Sequence, residues 1–114
     1  MRTFKVELDT AYADKAIKET GLLQGNQNFA FEFRLAERGE PITIDNMKKP
    51  KLIFNFENGV ESFTVDESSP DYPVTVAGNV VKVAASKYLS MGYGRVKLMI
   101  KIDDYYTYSC VYYV

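Results

Sequence analysis

A chain of 114 residues, 46% hydrophobic and 25% charged, has the make-up of one folded domain over residues 1–114 and not of a disordered segment. Its net charge of -1 and pI near 5.4 speak against electrostatic binding of nucleic acid, which calls for a basic surface. The absence of histidine removes Ser-His and Cys-His nucleophile pairs, histidine metal ligands and the ordinary pH switch, so most familiar hydrolase designs are excluded.

No apolar run approaches the roughly 18 residues of a membrane helix, so no membrane insertion is expected. The first residues lead straight into an alternating strand with no signal-peptide core, so secretion by that route is not expected either. Phe4, Val6 and Leu8 alternate with Lys5, Glu7 and Asp9, which predicts a first strand. From residue 10 to 28 the period changes. Thr10 is placed to cap a short helix through Glu19, ended by Gly21, and an irregular crossover is the equal alternative.

Phe29, Phe31, Phe33 and Leu35 then share one side and Ala30, Glu32, Arg34 and Ala36 the other, the cleanest strand pattern in the chain. A turn through Gly39 leads to a short strand expected over residues 42–44, opened by Pro41 as suits an edge. Leu52, Phe54 and Phe56 form the next inward row, followed by Asn58-Gly59. A two-residue loop there pairs Phe54 with Phe63 and Leu52 with Val65, so turn chemistry and apolar pattern agree. Gly78-Asn79 passes the same test, pairing Val76 with Val81 and Val74 with Val83. Residues 86–91 carry no alternation.

Residues 93–102 alternate without a slip, with Gly94, Val96, Leu98, Ile100 and Ile102 on one face and Tyr93, Arg95, Lys97, Met99 and Lys101 on the other. Asp103 and Asp104 supply turn chemistry, and residues 105–114 return as a second strand. A two-residue loop buries Thr107, Ser109 and Val111, whereas a three-residue loop buries Tyr108, Cys110 and Tyr112. The second is preferred because it hides the larger apolar set. The sum is about eight or nine short strands with turn signals roughly every ten residues, which predicts an all-β, immunoglobulin-like antiparallel β-sandwich. A closed barrel is the alternative.

Few residues suggest chemistry. Asp66, Glu67 and Asp71 lack the spacing of a calcium loop, adjacent Asp103 and Asp104 diverge on a turn, and Cys110 has no histidine to activate it. No catalytic, metal or cofactor site is therefore expected, and the protein reads as a non-enzyme. The tyrosines are the notable excess. Tyr93, Tyr105 and Tyr113 are expected to project outward beside Met99, a composition that suits a protein interface and also the stacking of sugars.

With the strands placed, the order of features resembles the N-terminal domain of the baseplate upper proteins of tailed phages that infect Gram-positive bacteria. The features are an opening strand ending in Leu8-Asp9-Thr10, a crossover closing with Gly25-Asn26, and the run from Phe29 to Leu35 followed by Gly39 and Pro41-Ile42. Val80 to Ala84, the segment from Ser86 to Leu89, Gly92 and a long paired strand complete the pattern. The resemblance implies a virion structural protein that docks on the tail-tip core and helps carry receptor-binding components. Other phage tail or baseplate proteins, and further copies of this chain, are its implied partners. A carbohydrate-binding module that recognises host-surface glycan is the alternative.

Overall fold

The computed structural model describes residues 2–9, 15–16, 29–44, 50–58, 63–66, 74–84, 93–102 and 107–114. Among them are ten strands: β1 (Arg2–Asp9), β2 (Lys15–Ala16), β3 (Phe29–Glu37), β4 (Glu40–Pro41), β5 (Lys51–Asn58), β6 (Phe63–Val65), β7 (Val74–Ala77), β8 (Val80–Ala84), β9 (Tyr93–Lys101) and β10 (Thr107–Tyr113). They form two sheets. The first has the order β1-β3-β8-β7, with β4 also on β3, and the second has the order β2-β10-β9-β5-β6.

The two-residue period decides what lies between the sheets. Phe29, Phe31, Phe33 and Leu35 of β3 are fully buried against Leu52 and Phe54 of β5, Val96, Leu98 and Ile100 of β9, and Tyr108, Cys110 and Tyr112 of β10. Burying each large apolar side chain contributes about 1.5–3 kcal/mol, and this core is what makes the short strands stable. Phe31 is its centre. The Phe31 ring lies 5.5 Å from Phe29, 5.6 Å from Phe4, 5.7 Å from Phe33 and 4.8 Å from Tyr112 of the opposite sheet.

The hairpin registers follow the turn chemistry. Phe54 faces Phe63 and Leu52 faces Val65, the register that the sequence pattern predicts. Val76 faces Val81 and Val74 faces Val83, with Gly78 at φ 62° in the first loop position, where a type II′ turn places glycine. In the last hairpin Tyr108 faces Ile100, Cys110 faces Leu98 and Tyr112 faces Val96, the register of the three-residue loop.

Several expectations are corrected. Lys15 and Ala16 are a two-residue strand parallel to β10, so no continuous helix runs from Thr10 to Glu19. Two strand pairs in the sandwich are parallel, β2 with β10 and β1 with β3, the latter from Arg2 opposite Phe29 to Asp9 opposite Ala36. The chain leaves the first sheet after Asp9, visits the second at β2 and returns at Phe29, and a connection of that length permits parallel entry.

The short strand after Gly39 is Glu40–Pro41, not residues 42–44. Arg38 at φ 50° and Gly39 at φ 83° make a two-residue loop with both positions left-handed, so Glu37 pairs with Glu40 at once. Pro41 opposite Ala36 then falls between hydrogen-bonded pairs, where its missing N–H costs nothing. Ile42 still donates to the Leu35 carbonyl at 3.2 Å, but Leu35 gives its own N–H to Asn79 at 2.9 Å, and the ladder ends there. The acidic positions Glu67 and Asp71, the segment 86–91, the turn residues Asp103 and Asp104, and Tyr105 lie outside the described residues.

Candidate functional site

The outer face of the second sheet carries the residues that composition singles out. Along β9 the outward positions are Arg95, Lys97, Met99 and Lys101, and cross-strand pairing sets Tyr113 opposite Arg95, Val111 opposite Lys97 and Ser109 opposite Met99. On the other side of β9, Lys51 stands opposite Lys101, Ile53 opposite Met99 and Asn55 opposite Lys97. Tyr113 is 45% exposed, Met99 is half-buried, and Val111, next to β2, is buried on this same face.

Tyr93 does not join that row. Between Phe56 and Asn58 the β5–β9 register steps by one residue, so Gly94 and Arg95 together oppose Glu57 and Tyr93 pairs with Asn58. Gly94 has φ 84°, the left-handed first position of a glycine bulge. The Glu57 carboxylate accepts the Arg95 N–H at 3.0 Å, and Asn58 Nδ2 donates to the Tyr93 carbonyl at 3.2 Å, which holds the bulge from the neighbouring strand. Asn58 shares its face with Phe56, which packs against the core, so its partner Tyr93 is set off the outward row of β9, and it is 58% exposed. Tyr113 and Met99 are thus on one face and Tyr93 is on another surface. Perfect alternation of apolar and polar residues across Gly94 hides this step, and the glycine itself is the signal that marks it.

A groove of about 550 Å³ that sequence patterns do not reveal lies on the first sheet, lined by Glu7, Asp9, Arg34, Pro41 and Asn79 among others. Its Asp9 carboxylate is already engaged. Asp9 accepts the Arg38 N–H at 2.8 Å through one carboxylate oxygen and the Gly39 N–H at 2.7 Å through the other, and so holds the β3–β4 turn. Glu7 stands opposite Arg34 in the β1–β3 register. Opposite charges side by side on neighbouring strands stabilise the sheet, and Leu8, Ala36 and Pro41 make much of the groove's wall apolar.

Inside the core, burial pushes the Tyr112 phenol well above its ordinary range, with the neighbouring Cys110 acting in the same direction, so Tyr112 is a neutral hydrogen-bonding group there. Cys110 is a buried free thiol. No group of three metal-ligating side chains occurs among the described residues, and no helix among them is long and apolar enough to cross a membrane. Comparison with protein-family models and with curated protein sequences finds no match to this chain.

Proposed function

We propose that this protein is a non-enzymatic phage tail or baseplate component that docks on the tail-tip core through a sheet surface and helps carry receptor-binding components within the virion. The observation that carries the reading is the outer face of the second sheet, where exposed Tyr113 sits opposite Arg95, with Met99 and Ile53 one row beyond Lys97. Tyrosine, arginine and methionine are the residues that anchor protein contacts. The order of strands and turns along the chain, with its resemblance to baseplate upper proteins, supplies the phage context. A glycan-stacking platform is the weaker reading, because it calls for neighbouring aromatic rings on one face and the step at Gly94 sets Tyr93 apart from Tyr113.

The test is capture of virion proteins from a lysate of phage-infected Gram-positive cells on the immobilised chain, with light scattering of the chain alone. Capture of named tail or baseplate proteins, weakened by Tyr113→Ser, is the expected result. A strict monomer that captures no virion protein, or a glycan-array signal that disappears with Tyr113→Ser, overturns it.

A further inference from the structure

Among the described residues, charges are distributed unequally between the two outer faces. On the first sheet they cancel in place: Lys5 faces Glu32, Glu32 faces Lys82, and Glu7 faces Arg34. On the second sheet the outward positions of β5, β9 and β10 hold four cations, Lys51, Arg95, Lys97 and Lys101, against one carboxylate, Glu57. That carboxylate is committed to the Arg95 backbone N–H at 3.0 Å. Among the described residues, the outer face of the second sheet is therefore locally basic. Within it Lys51 and Lys101 are direct cross-strand partners, an arrangement that destabilises an isolated sheet by like-charge repulsion.

We propose that this face docks an acidic protein surface, whose carboxylates sit over Lys51 and Lys101 and whose apolar side chains meet Met99, Ile53 and Tyr113. The inference rests on the docking reading above and gives the partner its chemistry. Charge complementarity selects an anionic occupant, and it relieves the Lys51–Lys101 repulsion when bound. The apolar residues interleaved with the cations select a protein over a bare polyanion. A polyanion would be held by the lysines alone and would be indifferent to Tyr113.

The probe is a random copolymer of glutamate and tyrosine, with binding read by fluorescence anisotropy of the labelled protein. Wild type binds, and Lys51→Gln with Lys101→Gln weakens binding about tenfold. Lys5→Gln with Lys82→Gln changes the net charge equally on the other face and leaves binding within about twofold. Lys101→Gln alone moves it in the same direction by less, and circular dichroism checks that each variant is folded. Tyr113→Ser weakens copolymer binding.

The proposal is overturned if wild type fails to bind, if the two double variants lose binding alike, or if dextran sulfate binds as tightly as the copolymer with no effect of Tyr113→Ser. Undiminished capture of tail proteins by the Lys51→Gln, Lys101→Gln variant rejects this face while leaving the tail-docking reading in place. Wild type that binds the copolymer yet captures no tail protein rejects the tail reading and leaves an acidic-partner face.

Discussion

The Tyr108 hydroxyl in β10 donates to the Ala36 carbonyl in β3 at 2.9 Å, so a single buried phenol ties the two sheets together across the core. Tyr108 is a buried residue of the inward row, and its ring contributes to the apolar core while its oxygen reaches the opposite sheet.

Tyr108→Phe keeps the ring and removes this tie. Loss of this part-buried hydrogen bond, with its acceptor left in place, lowers stability by about 1 kcal/mol. Urea unfolding checks it, and an unchanged midpoint removes the tie from the account of how the sheets are held.

Gly94→Ala and Gly39→Ala separate backbone strain from crowding. Both residues have positive φ, 84° and 83°, and an added Cβ meets nothing within 4 Å at Gly39. At Gly94 it meets Glu57 Oε2 at 3.0 Å and Asn58 Nδ2 at 3.1 Å, the two side chains that hold the bulge. The Gly39 change costs about 1 kcal/mol from the left-handed conformation alone, and the Gly94 change costs more, about 2 kcal/mol, because Glu57 and Asn58 must also move. Thermal melting ranks them, and equal losses would mean that the bulge has no need of its side-chain support.

Lys101→Glu converts a repulsive cross-strand pair into an attractive one with Lys51. The free protein becomes more stable by about 0.5 kcal/mol, an effect that fades in high salt. A melting temperature that falls, or a gain that salt does not reduce, shows that the two ammonium groups do not interact as the register implies.

Alkaline pH should weaken the fold through Tyr112. Its phenol is raised in the folded protein above the ordinary value of 10.0, chiefly by burial. Above about pH 10 the unfolded chain gives up this proton and the folded chain retains it, so stability is complete below that pH and declines as pH rises further. Urea unfolding at about pH 9 and about pH 11 shows a smaller decline for Tyr112→Phe than for wild type. Identical declines would locate the alkaline sensitivity in other groups.

The parts of the architecture that local chemistry controls are legible in the sequence. Turn residues and the two-residue period together specify the pairs Phe54–Phe63, Val76–Val81 and Tyr108–Ile100, because a slip of one residue would turn each inward row to water. The parallel entry of β1 beside β3 is not, since nothing local distinguishes a long crossover from a sheet change. The position of β4 depended on which partner takes the Leu35 N–H, a choice made by Asn79, remote in the chain. On the candidate face, Tyr113 and Met99 fall on the outward positions that alternation assigns, whereas Tyr93 does not, because a single left-handed glycine reverses the parity of everything beyond it. The basic character of that face emerges only when β5 is laid beside β9, bringing Lys51 to Lys101.

The place of β9 within the second sheet bears on biosynthesis. It is flanked by β10 and β5, so the sheet has no middle until residues 93–101 have left the ribosome, although β5 is made some forty residues earlier. Leu52 and Phe54 therefore wait for their cross-strand partners Ile100 and Leu98. During that interval the nascent polypeptide exposes a sticky half-sheet to its neighbours, and any mutation or pause that delays β9 should show first as inclusion bodies and only afterwards as lost affinity.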